Sequence, residues 1–434
     1  MLEVIFTGLR KSGRFDLEAV EMATRAAAHH LGASLLEQLL SAPSIWEPNV
    51  SCGCGQRARF HEVRPKQLIT VVGPVRIQRP YYVCPDCHQG QCPRDAELDV
   101  EGTECSPGVR RMMALVGSET SFDKGRQQME MLAGLKVTAK AVERHAEAIG
   151  ADLAAREQQQ IQRAKQLHLP MATGERIPFF YVQMDGVQVP VRRSETEGRA
   201  GRIEGQPART RECKLGCIFT QTTVDDQDRP VRDEDSTTYT GAIETAEEFG
   251  LRIYTEAWQR GWSRAEIKVV MGDGADWIWN IADQHFPGAI QIVDLYHARQ
   301  HLWNLASKLY PNDEARQKRW LIPKLNQLDN GKIEKLVGSL RTLPASHSAA
   351  AWILQEANYF EKNAHRMRYP QFRRQKLFVG SGVIEAGCKT VIGSRLKQSG
   401  MFWMVCGANA IIALRCNRLS GEFEDYWADR QQVA

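Results

Sequence analysis

Three acids stand out by what surrounds them: Asp185 after the apolar run Phe179 to Met184, Asp273 after Ile267 to Met271, and Glu385 in Gly382-Val-Ile-Glu385. The stretch Ile267 to His297 reads strand, helix, strand: an apolar run broken by Asp273-Gly274, a helix from Ala275 to about His285, and a second run from Ala289 to Val293 closed by Asp294. Two strands joined by a helix form a βαβ unit and imply parallel strands. Ligands of such sheets collect at the carboxyl ends of the strands, where Asp273 and Asp294 fall. A second set of residues has softer chemistry. Cys52-Gly-Cys54 and Cys84-Pro-Asp-Cys87 flank a hairpin pattern, Gln67 to Val72 and Val75 to Val83 around Gly73-Pro74. Paired cysteines on two knuckles joined by a hairpin are what a zinc ribbon requires, with four thiolates converging tetrahedrally on Zn²⁺. His61 or His88 could replace one thiolate, and the alternative is a site reduced to free cysteines. No thioredoxin-like βαβ surrounds Cys84 and Cys87, so redox chemistry is not expected.

The chain that must position these groups has 434 residues, which allows roughly two to four domains. Its net charge is only +4, so a polyanionic partner must be met by local basic surface. No apolar run approaches about 20 residues, and Met1 to Arg14 lacks a signal-peptide core, so a cytoplasmic protein is expected. With no export signal, an odd set of 11 cysteines favours metal binding or buried thiols over disulfides.

In chain order, Phe15 to Ser41 has helical spacing with Asp16 as a cap. After the cysteine module come helices from Pro107 to Gly117, from Phe122 to Ala133, and from Ala139 onward after the turn Gly134 to Thr138. A helix, a Gly-containing turn and a capped helix presenting Lys140, Arg144 and His145 outward resemble a helix-turn-helix. Glu157 to Lys165 reads as a polar linker helix. Phe179 to Met184 predicts a buried strand, Val187 to Val191 its return strand, and Glu212 to Thr220 a third, with a mobile loop at Ser194 to Arg211. An acidic loop, Asp225 to Asp235, and a helix from Ile243 to Arg260 lead into the βαβ unit. The order β-β-β-α-β-α-β is that of the ribonuclease H-like fold, with the first strand central and the fourth beside it. Asp185 and Asp273 would then meet at one end of adjacent strands.

From His297 to about Asn363 the pattern is helical, interrupted near Pro311, Pro323, Gly331 and Pro344, and too long to be a connection. It reads as an inserted subdomain with Trp303, Trp320, Trp352 and Tyr359 in its core. A basic run follows, with His365, Arg366, Arg368, Tyr369, Arg373, Arg374 and Lys376. Such a run is either a solvated face or a contact to phosphates. The helix opening at Gly382 carries Glu385 in its first turn, with Arg395, Lys397 and Trp403 beyond.

Asp185-Gly, Asp273-Gly-Ala-Asp-Trp-Ile, Asp294-Leu-Tyr-His297 and Gly382-Val-Ile-Glu385 together resemble the acid motifs of bacterial insertion-sequence DDE transposases. The nearest group is the ISKra-type family, allied to the mutator-like transposases. The resemblance runs from about Cys52 to Trp427, and Cys52-Gly-Cys54 departs from the regular Cys-x-x-Cys spacing. It implies Mg²⁺-dependent cleavage and strand transfer of DNA, with two ions about 4 Å apart. Asp185 would bridge both ions, Asp273 bind one and Glu385 the other, while Asp294 and His297 support the site. Carboxylate and phosphate oxygens suit Mg²⁺. Cys52, Cys54, Cys84 and Cys87 would hold a structural Zn²⁺. DNA, as transposon ends and target, would be met by Lys140, Arg144, Arg366, Arg368, Arg373, Arg374, Lys376 and Arg395. A homodimer or larger oligomer on DNA, associated with the bacterial nucleoid, is implied.

The expected organisation is an N-terminal helical region (1–45), a zinc-ribbon-like module (46–105), a helical DNA-binding region (106–170), the first part of an α/β ribonuclease H-like core (171–300), an all-α insertion (301–378) and the last part of the core (379–434). Two alternatives share these residues: a ribonuclease H-like nuclease without strand transfer, and a domesticated zinc-ribbon DNA-binding regulator.

Overall fold

Asp16 starts the first helix, α1 (Leu17–Leu40), by accepting the Ala19 N–H at 3.3 Å, as its place before the apolar spacing predicts. The computed structural model describes residues 10–11, 14–41, 46–201, 206–343 and 347–432. The expected break at Pro344 and the start of the chain before Arg10 lie outside the described residues. The chain divides into two units, 1–148 with 424–434, and 149–423.

In the first unit, β1 (Asn49–Ser51), β2 (Arg57–Thr70), β3 (Gly73–Val83) and β4 (Gly90–Gln91) form an antiparallel sheet in that order. Its hairpin turns at Val71-Val72, two residues before the expected Gly73-Pro74. Gly73 instead pairs with Thr70 at the first rung, and its φ of +115° is one that only glycine adopts without strain. Leu36 and Leu40 of α1 pack on Leu68, Val75 and Ile77 of this hairpin. Further along are α2 (Pro107–Glu119), α3 (Phe122–Ala133) and α4 (Ala139–Lys165), whose residues from Ile149 on belong to the second unit. Ser106, Ser121 and Thr138 cap them, and Gly134 ends α3 in the left-handed conformation. Val109, Met113, Met129 and Val142 form their core. A Cβ on Gly117 would lie 2.7 Å from that of Ala146, so glycine there lets α2 and α4 cross closely. Glu157 to Lys165, expected as a separate linker helix, continues α4 without a break.

The second unit holds a mixed five-stranded sheet built from β5 (Ile177–Pro190), β6 (Thr210–Gln221), β7 (Thr238–Ala242), β8 (Ala265–Gly272) and β9 (Ile290–Val293). Its order is β7-β6-β5-β8-β9, with the first strand central and the fourth beside it. β5, β8 and β9 are parallel, whereas β6 is antiparallel to both of its neighbours. Two strands differ from what the sequence pattern predicts. Val187 to Val191 is no return strand: β5 runs straight through Asp185-Gly186, paired with β6 from Phe179↔Gln221 to Pro190↔Thr210. Gly186 keeps an ordinary φ, so Asp-Gly makes no turn. The true third strand is β7, whose Thr238-Tyr-Thr-Gly-Ala sequence lacks a strong apolar alternation.

Between β7 and β8 runs α5 (Ala246–Gln259), opened by a Thr245/Glu248 capping box. Its Arg252 is buried between Glu244, at 2.6 Å, and Glu157 of α4. Glu256, also on α5, accepts from Thr238 Oγ1 at 2.6 Å. Burial, with Glu422 nearby, raises its carboxyl from 4.5 to about 7. A raised carboxyl pKa means that ionisation is disfavoured in the folded state. The penalty is absent below pH 4.5, grows up to about pH 7 and persists above it. Glu256→Gln should therefore raise the melting temperature at pH 8 and leave it unchanged at pH 4. Equal shifts at both values would show that packing, not charge, is responsible.

α6 (Asp276–His285) connects β8 to β9, and the helices α7 (Leu295–Leu309), α8 (Glu314–Asp329), α9 (Ile333–Arg341) and α10 (His347–Lys362) form the all-α section, with Pro323 inside α8. Their buried side chains include Leu302, Leu305, Leu328, Leu336, Leu340 and Phe360. Trp303 and Trp352, expected in this core, are 40% and 36% exposed, because aliphatic side chains already fill the seams. α11 (Tyr369–Arg374), α12 (Gly382–Gly387), α13 (Val405–Leu419) and α14 (Phe423–Gln432) complete the chain. No helix among the described residues is long and apolar enough to cross a membrane.

Candidate acid cluster and tetracysteine site

The Sγ atoms of Cys52, Cys54, Cys84 and Cys87 all lie within 4.8 Å of one another, with 3.5 Å between Cys52 and Cys87 and 3.7 Å between Cys54 and Cys84. A tetrahedron of thiolates about 2.3 Å from zinc has edges of about 3.8 Å, so the four could hold Zn²⁺. Each knuckle turns through a residue of positive φ, Gly55 at +86° and His88 at +57°. The amide of Cys87 points at the Cys84 sulfur and is the main cause that lowers that thiol to about 7. Cys105 instead belongs to the core of α2, α3 and α4. Among the described residues, neither His61, His88 nor Cys92 joins the group.

Strand register governs the acids. Gln183 of β5 is level with Met271 of β8, and Gly272 is level with Val293 of β9. Asp185 and Asp273 therefore occupy corresponding positions on adjacent strands, and Asp294 follows on the next. The amide of Asp294 donates to the Gly272 carbonyl at 2.9 Å. Asp185 accepts from the Gly186 amide at 2.6 Å and from the Cys388 thiol at 3.4 Å. Burial, reinforced by the Asp273 carboxylate, raises the pKa of Asp185 above the ordinary carboxylate value. Asp273 accepts the Ala275 amide at 2.9 Å, while the Tyr359 hydroxyl donates to its carbonyl at 3.0 Å. Gly274 has φ +100°, and a Cβ there would strike the Tyr359 ring at 2.7 Å. Tyr359 in turn stacks on His301, and His297 lies against His301 at 5.1 Å between ring centres.

Asp294 is buried and caps α7 through the Tyr296 amide. Its other oxygen accepts from Ser381 at 2.6 Å, and Ser381 also approaches Glu385 Oε1 at 3.5 Å. The Ile384 amide donates to Gln183 Oε1 at 3.1 Å. α12 is thereby moored to β5 and to Asp294, with Glu385 exposed and Cys388, one turn later, on Asp185. A π-helical stretch, Cys388–Gly393, follows at once, a form concentrated at functional sites. Asp185, Asp273 and Glu385 do not reach the mutual spacing of the four thiols. Gln183, Ser381 and Cys388 were not singled out from sequence, although Gln183 shares the Asp185 strand face by its spacing of two and Cys388 stands one helical turn past Glu385.

The expected DNA contacts divide by exposure. Arg373 and Arg374 are exposed and have no ion-pair partner among the described residues. Lys376 is exposed but pairs with Asp228 at 2.8 Å, and Arg368 pairs with Glu334 at 3.1 Å. Arg366 and Arg395 cannot reach a phosphate from these positions. Arg366 is buried, bonded to Gln291 and Asn363, and lies 4.4 Å above the Trp279 ring. Arg395 is fully buried beside Trp403. Lys140 and Arg144 are exposed on α4, Lys140 paired with Glu143 at 3.0 Å. His145, expected to face outward, is buried, and burial with Arg144 and Arg110 nearby lowers it to about 4.

No family model and no curated protein matches this chain. One solved structure, titled "Drosophila P element transposase strand transfer complex", is similar at 8% identity and a TM-score of 0.27, covering 78% of this chain and 84% of that one. At that score the likeness carries no weight for fold or chemistry.

Proposed function

We propose that this protein is a DDE transposase of the ISKra-type group, a metal-dependent polynucleotidyl transferase with a ribonuclease H-like core and a structural zinc module. The observation that supports it most is the level placement of Asp185 and Asp273 on neighbouring parallel strands, with the helix bearing Glu385 bonded back onto β5 through Ile384 and Gln183. Asp185, Asp273 and Glu385 supply only hard oxygen donors, the set that Mg²⁺ selects. A half-buried Asp185 whose ionisation is opposed by Asp273 gains from a cation placed between them. When bound, Mg²⁺ would activate a water or DNA 3′-hydroxyl and offset charge on the phosphate. The residues' own tasks are geometric. Tyr359 fixes the Asp273 turn, Ser381 ties Asp294 to Glu385, and Cys388 orients the Asp185 carboxyl.

The test is incubation of purified protein with DNA carrying the ends of its element, in Mg²⁺, followed by strand mapping. Cleavage at the ends with joining to a second duplex is expected. Cleavage without joining would favour a nuclease, and sequence-specific binding without cleavage a regulator.

Arg373 and Arg374 should serve as phosphate contacts, since a planar guanidinium grips a phosphate through two hydrogen bonds. Changing both to Ala should weaken binding to specific and random DNA by similar factors. The slope of log affinity against log salt should shrink by about one for each phosphate left without its arginine. An unchanged slope would make the segment an ordinary solvated face. Sequence preference should respond instead to Lys140 and Arg144.

A further inference from the structure

Past Asp185, β5 ends at a cavity of about 350 Å³ that the acid site does not use. Its lining combines the apolar Val191 and Ala208, the cationic Arg192, Arg193 and Arg209, and the Phe402 ring. Three chain segments are laced together there. The Arg192 amide donates to the Trp403 carbonyl at 2.9 Å, the Trp403 amide to Pro190 at 3.2 Å, and the Val191 amide to Arg209 at 3.1 Å. Trp403 is buried, and its indole N–H donates to the Leu396 carbonyl at 3.0 Å. Phe402 is thus carried on a fixed neighbour, yet it is itself 60% exposed. The three arginines are exposed, and no ion pair holds them among the described residues. The nearby Glu195 accepts the Val405 amide at 3.0 Å and pairs with none of the three among the described residues.

A held aromatic ring in the open and three uncommitted guanidiniums around a small apolar floor match one ligand chemistry: a flat ring joined to phosphates. Base stacking on an aromatic side chain combined with backbone contacts to basic residues is how unpaired strands are bound. A duplex hides its base faces, so the ring has a use only where bases are unstacked. Val191 lies six residue steps past Asp185, an extended span of about 20 Å. That equals about six stacked nucleotides of one strand. We infer that Phe402 with Arg192, Arg193 and Arg209 forms a docking site for an unpaired segment of single-stranded DNA close to the strand end presented to Asp185 and Asp273. The inference rests on the proposed function for its choice of DNA, while the pocket itself can be tested without any cleavage.

The experiment uses the full chain, metal-free, with a short single-stranded DNA oligonucleotide carrying 2-aminopurine, and reads anisotropy and base fluorescence. Wild type should bind and alter the base fluorescence. Phe402→Ala should weaken binding by about tenfold or more and abolish the fluorescence change, and Phe402→Trp should restore both. Arg192→Ala with Arg209→Ala should lower the salt slope on the single strand by about 1.4, while binding of blunt duplex stays near wild type for the Phe402 variants. Unchanged single-strand binding by Phe402→Ala, or an equal loss on blunt duplex, would overturn the inference. So would tighter binding of single-stranded RNA of the same sequence, or free dAMP binding as tightly as the oligonucleotide. The two readings fail separately. If wild type cleaves element ends but Phe402→Ala behaves as wild type here, the pocket assignment falls and the transposase reading stands. If no DNA is cleaved but the Phe402 variants respond as stated, the reverse holds.

Discussion

Cys84→Ser or Cys87→Ser should release zinc and unfold the knuckle end of the first sheet while sparing its turn end. The two ends differ in what holds them. Around the knuckles the buried cluster is Ala58, Tyr82 and Cys84, with Val50, Cys52 and Cys87 packed on it, so half of its members are the ligands themselves. Without metal those thiols must either ionise together at short range or remain protonated against one another, and little other apolar surface compensates. Structural zinc contributes on the order of 10–16 kcal/mol in small zinc modules, where binding energy is folding energy, and a zinc held by these four thiols would act in the same way. At the turn end, Leu68, Val75, Ile77 and Val100 are packed by Ala33, Leu36 and Leu40 of α1, independent of any metal. Hydrogen exchange after chelation should therefore accelerate at Cys52 to Phe60 and Tyr81 to Gln91, and change little at Leu68 to Ile77. Purified native protein that contains no zinc, or exchange untouched by a chelator that strips it, would sink this account.

What could be seen in the sequence was what short periodic patterns encode. The βαβ unit from Ala265 to Val293 was legible because apolar runs, a helix and two closing acids fall within one stretch, and the sheet pairs β8 with β9 in parallel. The four thiols were legible because the knuckle is a local motif, even with Cys52-Gly-Cys54 one residue short. Strand ends were less so. Asp185-Gly186 looks like a turn, but twelve consecutive pairings with β6 carry β5 through it, and long-range ladder bonds outweigh a local turn preference. Whether an arginine faces water depends on partners far along the chain. Arg366 finds Trp279 and Gln291, and Arg395 finds Trp403, so a linear count of basic residues overstated the surface available to phosphates. The residues that moor the Glu385 helix were invisible for the same reason. Ser381 and Asp294 are 87 positions apart, and Gln183 and Ile384 are 201 apart.

Asp185→Asn should abolish strand cleavage and, in metal-free buffer near pH 8, make the protein more stable than wild type. The amide keeps the shape of the carboxylate, including an oxygen for the Gly186 amide, but removes a charge opposed by burial and by Asp273. Because the folded pKa is raised, the native state is penalised once pH exceeds the ordinary carboxylate value, and the penalty is complete above the raised value. The gain from the amide should thus be present at pH 8 and vanish near pH 3. For a unit of this size each kcal/mol relieved should appear as a rise of roughly 2–4 °C in melting temperature. Mg²⁺ should reverse the order. It should stabilise wild type in proportion to its occupancy and do nothing for the Asn variant, because a ligand stabilises only the state that binds it. Asp273→Asn and Glu385→Gln should likewise lose cleavage and most of the Mg²⁺ response while retaining DNA binding. Glu385, being exposed, should show no gain in metal-free stability. If Asp273→Asn cleaves normally and Asp294→Asn does not, the second acid is Asp294. Its burial and its bond to Ser381 would then be the features that serve the chemistry, rather than the cap they make for α7.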